Sequence, residues 1–158
     1  MSDSEAGFAG PRLEIHDIMR IIPHRFPILM IDRVVEIIPM KSAVGIKCVS
    51  MGEPHFQGHF PQQAVMPGVM IIESMAQTAA CMVVYSLGPT ARNKIVYFMS
   101  IESAKFRRPV VPGDVMEVHV EALQSRGTVW KLAGKAKVDG KIVAEAIISA
   151  MIRDPDNA

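Results

Sequence analysis

The sequence contains few cysteines and few aromatic residues. Of its 158 residues, two are cysteine and 6% are aromatic, with a single tryptophan. Cys48 and Cys81 are too few for a disulfide framework and lack the CxxC spacing of a redox or metal motif. Because both stand within apolar runs, we expect two buried free thiols in a reducing compartment, which favours the cytoplasm.

The sequence also lacks a marked excess of either charge. Seventeen Lys and Arg residues balance sixteen Asp and Glu residues, and the formal net charge at pH 7 is +1. This balance argues against nucleic acid as a partner, because nucleic-acid binding depends on a basic surface. Since 49% of the residues are apolar, the composition is that of a folded domain.

No secretory signal is predicted, because the first residues have neither a basic start nor an apolar core. Residues 1–12 are mostly small, polar or acidic, and we expect a disordered tail followed by one domain over residues 13–158. One apolar stretch, Val69–Leu87, approaches the length of a membrane span. It contains Glu73 and lacks basic flanks, so we expect a core helix and no membrane association.

Hydrophobic periodicity predicts two helices and six strands. Apolar residues recur at helical spacing over Ile15–Ile22, and after Pro67 they lie on every side of a long helix that ends at Gly88-Pro89. Asp139-Gly140 is typical of a β-hairpin turn. We expect an α+β domain in which a curved antiparallel sheet of about six strands wraps around one long central helix. The predicted strands are Leu29–Ile38, Ser42–Ser50, Lys94–Phe106, Val115–Leu123, Thr128–Val138 and Lys141–Ile152.

A long loop without regular periodicity, Gly52–Gly68, precedes the central helix and contains His55 and His59. Long ordered loops frequently carry functional residues. The two histidines are four residues apart, but Gly58 and Pro61 are incompatible with a helix at this point. Because no Cys or carboxylate cluster accompanies them, we expect no metal here.

Glu73 is unusual because it occupies the second turn of a helix that is predicted to be buried on all sides. Taken alone, it could be half of a structural ion pair or a capping group. Gln77 follows one turn later on the same face and could orient the carboxyl group by a hydrogen bond. Gly68 leaves the backbone N–H groups of the helix start accessible, where the helix dipole favours a polarised carbonyl oxygen.

Four stretches resemble one enzyme family. The run GHFPQQAVMPGVMIIESMAQ (Gly58–Gln77) is similar to the signature of the FabZ-type 3-hydroxyacyl-acyl carrier protein dehydratases. With the other stretches, the resemblance covers essentially Leu13–Arg153, and the visible departure is Ala64, where the family usually has a proline. That change releases one fixed φ angle and removes no functional group. The other three stretches are PHRFPILMIDRV (Pro23–Val34), KFRRPVVPGD (Lys105–Asp114) and VDGKIVAEA (Val138–Ala146).

The resemblance implies a hot-dog fold and the dehydration of (3R)-3-hydroxyacyl-acyl carrier protein to the trans-2-enoyl product in type II fatty acid synthesis, without a metal or cofactor. It also implies a homo-oligomer of dimers, usually a trimer of dimers, in which the matching His59 and Glu73 come from opposite subunits. His59 would take the Cα proton, and Glu73 would protonate the departing hydroxyl, directly or through water. The backbone N–H of Gly68 would polarise the thioester carbonyl. A glutamate at this helix position resembles the dehydratase-only branch more than the related dehydratase-isomerases.

The substrate of such an enzyme needs an apolar tunnel, and the acidic carrier protein needs a basic patch. Lys105, Arg107 and Arg108 are candidates for docking the carrier protein, with solvated surface charge as the alternative. The candidates for the tunnel, each of which could equally be a core residue, are Phe60, Met70, Ile71, Met75 and Phe98.

Two other functions are compatible with the same fold. One is an acyl thioesterase, in which a carboxylate directs water at the carbonyl, and the loop Gly58–Pro61 argues against it. The other is a non-catalytic subunit that binds acyl chains, and the complete pair of His59 and Glu73 argues against that.

Overall fold

The computed structural model describes residue 8 and residues 10–155. Most of the predicted N-terminal tail, residues 1–7 and 9, lies outside the described residues. Phe8 packs against a small cluster formed by Val35, Val44 and Ile46. The boundary between tail and domain at residue 13 stays a prediction.

The described residues form two α-helices and six strands, and the predicted α+β class is confirmed. Short 3-10 helices occupy Pro54–Gln57, in the long loop, and Pro89–Ala91, after the long helix. The helices and strands are α1 (Ile15–Ile21), β1 (Arg33–Ile38), β2 (Ser42–Cys48), α2 (Gly68–Leu87), β3 (Ile95–Phe106), β4 (Val115–Arg126), β5 (Val129–Val138) and β6 (Lys141–Arg153).

The six strands form one antiparallel sheet in the order β1-β2-β4-β5-β6-β3. The predicted hairpin between β5 and β6 is present, with Val138 opposite Lys141. Its turn residues Asp139 and Gly140 have φ of 51° and 76°, which is the left-handed conformation that a two-residue hairpin turn requires. Strand β3 pairs with β6 and therefore lies at an edge of the sheet.

Some strand boundaries differ from the predicted ones. Strand β1 begins at Arg33 instead of Leu29, because the preceding residues run along α2, where the N–H of Met30 donates to the side chain of Gln77. At the other end, β4 continues to Arg126, because its last residues still pair with β5.

Helix α2 packs against one face of the sheet, mainly against β2 and β4, and forms the centre of the core. All its residues from Ile71 to Val84 except Glu73 are buried. The sheet approaches the helix closely at Gly45, where an added Cβ atom would clash with Oγ1 of Thr78. The predicted enclosure of the helix is therefore present over its central turns.

The ends of α2 emerge from this core. Val69 in the first turn is 72% exposed, and Leu87 in the last turn is 48% exposed. By length and composition α2 could cross a membrane, with a mean hydropathy of 1.4, but 72% of its apolar window is buried inside the domain. Its apolar character is accounted for by the core that surrounds it.

The two cysteines are free, but they differ in exposure. Cys81 is buried in α2, and burial raises the pKa of its thiol to about 12. Cys48 is exposed, so the prediction that both thiols are buried is wrong for this residue. Cys48 ends β2 and follows the buried Lys47, and alternation along a strand places the two side chains on opposite faces.

Candidate active site

His59 lies in the loop between β2 and α2, and backbone hydrogen bonds hold the loop around it. Its N–H donates to the carbonyl of His55 at 3.0 Å, and its carbonyl accepts from Val65 at 3.0 Å. A tight turn follows, in which the N–H groups of Phe60 and Gln63 each donate to the other residue's carbonyl. The rings of His59 and Phe60 are stacked, with centroids 4.1 Å apart.

One hydrogen bond decides which nitrogen of His59 can act as a base. Its Nδ1 lies 2.6 Å from the carbonyl oxygen of Val65. A carbonyl oxygen only accepts hydrogen bonds, so Nδ1 carries the hydrogen and Nε2 of the neutral ring keeps its lone pair. The ring of His59 therefore offers Nε2 as a proton acceptor.

Two charged residues that the sequence analysis did not single out support this loop. Nζ of Lys47 lies 2.5 Å from Oε1 of Glu53, and the N–H of Ser50 donates to Oε2 of Glu53 at 2.9 Å. Phe56, between this pair and His59 in sequence, is buried in the core. The sequence could have indicated this pair, because alternation along β2 places Lys47 on the same inward face as Gly45. A lysine at such a position needs a partner.

Glu73 is held from one side by Gln77. Nε2 of Gln77 donates to Oε1 of Glu73 at 2.9 Å and to the carbonyl of Ile28 at 2.8 Å. The side-chain oxygen of Gln77 accepts from the N–H of Met30 at 2.8 Å. Because two backbone groups fix the side chain of Gln77, its hydrogen bond holds Oε1 of Glu73 in place.

A second side chain, His24, faces the same carboxyl oxygen. Nε2 of His24 is 3.6 Å from Oε1 of Glu73, and the two side chains are 16% and 18% exposed. Burial lowers the pKa of His24, which the charge of Glu73 opposes and that of Arg25 reinforces. Sequence reasoning assigned His24 no chemical role, because it lies 49 residues before Glu73 in a connector without periodicity.

The start of α2 offers a backbone donor. In the described part of the chain, the N–H of Gly68 has no hydrogen-bond partner, and no side chain caps the helix. A Cβ atom on Gly68 would lie 2.7 Å from Cε1 of Phe106, so the glycine allows the Phe106 ring to approach the start of the helix closely. The positive end of the helix dipole and a free N–H suit a polarised carbonyl oxygen.

The structure brings some of the predicted site residues together and leaves others apart. Glu73 and Gln77 are in contact, and Gly68 begins the same helix. Within one chain, no hydrogen bond or ion pair between described residues joins His59 to Glu73. Over residues 10–155 no three His, Cys, Asp or Glu side chains gather as metal ligands.

The tunnel candidates occupy different surroundings in the single chain. Ile71 and Met75 are buried in the core, and Met70 packs at its margin. Phe60 and Phe98 are 50% and 41% exposed. A tunnel lined by all five stays a prediction.

A cavity of about 540 Å³ lies elsewhere, over strands β1, β2, β4 and β5, where His119 and Lys135 line it. His59 and Glu73 are not among its lining residues. We attach no catalytic role to this cavity, because it lacks the paired acid and base that the sequence predicts.

The three docking candidates also differ. Nε of Arg107 lies 2.7 Å from Oε2 of Glu145, so its charge is partly compensated. Lys105 and Arg108 are exposed. Their role in docking stays a prediction.

Comparisons with known proteins agree with this fold. The sequence model of the FabA-like domain matches residues 22–147. Among solved structures, the dehydratase heterocomplex ApeI:P from Xenorhabdus doucetiae has a TM-score of 0.71 at 14% identity, over 89% of this chain and 91% of that one. A sigma28-regulated virulence protein from Campylobacter jejuni has a TM-score of 0.64 at 15% identity, over 85% of this chain and 84% of that one. At such low identity these two structures support the fold alone.

Curated sequences give a more specific relationship. The 3-hydroxyacyl-[acyl-carrier-protein] dehydratase FabZ of Acidiphilium cryptum is 61% identical over 145 residues, which are 92% of this chain and 88% of that protein. The protein of the same name from Gluconacetobacter diazotrophicus is 60% identical over 150 residues, 93% of each chain. The predicted family and hot-dog fold are thus confirmed, and the chain belongs to the FabA-like family, in the group of the 3-hydroxyacyl-[acyl-carrier-protein] dehydratases.

Proposed function

We propose that this chain removes water from (3R)-3-hydroxyacyl groups on acyl carrier protein and forms trans-2-enoyl groups, as a step of fatty acid elongation. The names and high identity of its relatives support this reaction. The observation that carries the chemistry is that one nitrogen of His59 and one oxygen of Glu73 are left without hydrogen-bond partners in the described part of the chain. Nε2 of His59 keeps a lone pair, and Oε2 of Glu73 has no hydrogen-bond donor among the described residues.

Elimination of a β-hydroxyl group needs one base and one acid. Nε2 of His59 takes the proton from Cα, and that electron pair forms the Cα–Cβ double bond while the Cβ–O bond breaks. Oε2 of Glu73, in its carboxyl form, gives its proton to the departing oxygen, directly or through a water molecule, and water leaves. One proton transfer through solvent, from imidazolium to carboxylate, restores the starting pair.

Charge also develops on the thioester oxygen as the Cα proton leaves. The free N–H of Gly68 at the start of α2 supports a role in stabilising this charge. Gly68 lies five residues before Glu73 on α2, which supports a carbonyl site at the same end of the helix as Glu73.

Because no hydrogen bond or ion pair joins His59 to Glu73 in the described part of one chain, we propose that each site combines His59 of one copy with Glu73 of a second. Strand β3 supports a dimer, since every residue from Tyr97 to Phe106 is exposed in the single chain. The other sheet edge, β1, is partly covered by the bridge from Leu13 to Val34. A long unpaired edge strand with apolar side chains favours pairing with a second copy. The exposed apolar side chains on β3 are Tyr97, Phe98, Met99, Ile101 and Phe106.

Finer features of this proposal rest on the sequence. They are assembly of three dimers into a hexamer, cytoplasmic location, and docking of acidic carrier protein at Lys105, Arg107 and Arg108. Among the three basic residues, the exposed Lys105 and Arg108 suit docking best, because Arg107 already pairs with Glu145. The acyl chain would follow the apolar candidates Phe60, Met70, Ile71, Met75 and Phe98.

An assay on the purified full-length chain tests the reaction. With a 3-hydroxyacyl thioester as substrate, a dehydratase produces enoyl absorbance without free thiol, whereas a thioesterase releases free thiol without enoyl absorbance. A non-catalytic acyl-binding subunit produces neither signal. Either of the last two outcomes would contradict the proposal.

Two variants test the residue roles. We expect His59→Ala and Glu73→Gln each to lower turnover by about 10²- to 10⁴-fold, as the loss of a general acid or base does. Matched controls are His16→Ala and Glu121→Gln, since both residues are exposed. Near-normal turnover in His59→Ala or Glu73→Gln would remove that residue from the mechanism.

A further inference from the structure

His24 is held rigidly beside Glu73 by its neighbour Arg25. The guanidinium of Arg25 donates to three backbone carbonyls, those of Met19 at 2.6 Å, Ile22 at 2.9 Å and His24 itself at 2.7 Å. Charge-assisted hydrogen bonds of this kind are stronger than neutral ones. The backbone of His24 is therefore anchored to the end of α1, and its ring is directed inward toward α2.

The two nitrogens of the His24 ring have different surroundings. Nδ1 is buried without a hydrogen-bond partner in the described part of the chain, whereas Nε2 faces Oε1 of Glu73 at 3.6 Å. A movement of about 0.5 Å would shorten this contact to a hydrogen bond. If the single hydrogen of the neutral ring is on Nε2, it points to Oε1 of Glu73, whereas no acceptor among the described residues is within reach of Nδ1.

The two donors converge on one oxygen of the carboxyl group. Gln77 already donates to Oε1 of Glu73, and His24 faces the same atom. In a carboxylic acid, the oxygen that accepts hydrogen bonds is the carbonyl oxygen, and the hydrogen is on the other one. Two donors at Oε1 thus favour a carboxyl group whose transferable proton is on Oε2.

We propose that His24 is a positioning residue for Glu73, which, together with Gln77, keeps Oε1 as the accepting oxygen and presents the proton on Oε2 to the departing hydroxyl. This inference rests on the proposed function, because it presupposes that Glu73 is the acid. His24 itself exchanges no proton with the substrate in this scheme.

The charge state of His24 is consistent with this role. Burial lowers the pKa of its ring, so the ring is neutral at neutral pH. A neutral ring forms no ion pair with Glu73, and it can still donate a hydrogen bond from Nε2 toward Oε1.

Three substitutions of His24 separate orientation from space filling. Gln places a donor where Nε2 of the imidazole lies, Asn places one where Nδ1 lies, and Leu fills the space without a donor. With a 3-hydroxyacyl thioester, we expect His24→Leu and His24→Asn to lower kcat by about 10- to 100-fold, as misplacement of a catalytic group does, with KM within twofold of wild type. His24→Gln should recover most of the lost kcat.

The same substitutions in a Glu73→Gln background complete the test. There His24→Leu should cause no further loss, because its effect acts through Glu73. Three outcomes would overturn the proposal. They are full turnover in His24→Leu, no recovery of kcat in His24→Gln, and an equally large loss from His24→Leu in the Glu73→Gln background. The proposal would also be overturned if all three variants gave less folded protein but a normal kcat per folded molecule, since that result indicates a purely structural residue. The proposed acid role fails separately, if Glu73→Gln alone keeps normal turnover.

Discussion

Nζ of Lys47 and Oε1 of Glu53 lie 2.5 Å apart beneath the loop that carries His59. Their side chains are only 5% and 17% exposed. The pair joins the end of β2 to the first turn of the loop, so it ties the position of His59 to the sheet. Because both charges are largely removed from water, each depends on the other.

We expect Lys47→Met to destabilise the protein by about 3 kcal/mol, since it leaves the largely buried carboxylate of Glu53 without its cationic partner. The double variant Lys47→Met, Glu53→Leu should cost clearly less, because it leaves no buried charge. Denaturant unfolding at one fixed protein concentration measures these two variants and the single variant Glu53→Leu. If the double variant loses as much as the sum of the two single variants, the pair is not coupled.

The contact between Gly45 and Thr78 predicts a packing defect. In Gly45→Ala the new Cβ would lie 2.1 Å from Oγ1 of Thr78 and 3.1 Å from its Cβ. Since Thr78 is branched at Cβ and buried in α2, the strand must move, at a cost of about 1–3 kcal/mol. Thermal unfolding checks this against Gly52→Ala, where the nearest atom is 3.8 Å away. Equal midpoints for the two variants would contradict the close approach.

Stability should fall as the pH is lowered through the ordinary titration range of histidine. Burial lowers the pKa of His24 and of His55 below the ordinary value of 6.5. Between the lowered and the ordinary pKa the unfolded chain binds more protons than the folded one, so the free energy of unfolding rises with pH in that window. The contribution of the two histidines to stability is fully present above about pH 6.5, and it is lost as the pH falls through their lowered pKa in the folded protein. The charged or titratable groups facing these rings are Glu73 and Arg25 for His24, and Glu53, Lys47 and His59 for His55.

Denaturant unfolding at pH 7.5 and pH 5.5 measures this dependence. His24→Gln removes one of the two groups, so the difference between the two pH values should become smaller. An unchanged or larger difference would show that His24 does not contribute.

The exposed edge strand predicts how activity depends on assembly. Ile101 in β3 is 49% exposed in the single chain, and Ile101→Lys would place a charge at the proposed contact between two copies. We expect this variant to sediment as a monomer and to lose turnover, because its sites lack the second copy's residue. Ile38→Lys, on the opposite edge strand with 50% exposure, serves as the matched control and should keep the dimer. A monomeric Ile101→Lys with full turnover would show that one chain suffices.

The secondary structure and the identity of the polar candidates could be read from the sequence, because they depend on local patterns. Alternation defined the strands, and Asp139-Gly140 defined their last hairpin, since a two-residue turn needs residues that tolerate positive φ. A carboxylate in an apolar helix singled out Glu73, and the four-residue helical spacing indicated Gln77 as its partner.

Contacts between distant segments were decided by the tertiary structure. Nothing in the connector before β1 indicates that His24 faces Glu73, since that depends on how α1 and its connector pack against α2. Likewise, periodicity predicts β3 but not its place at the sheet edge, which depends on pairing with the final strand. Local patterns reflect backbone geometry within a few residues, whereas strand order and the surroundings of a side chain depend on which distant surfaces exclude water together.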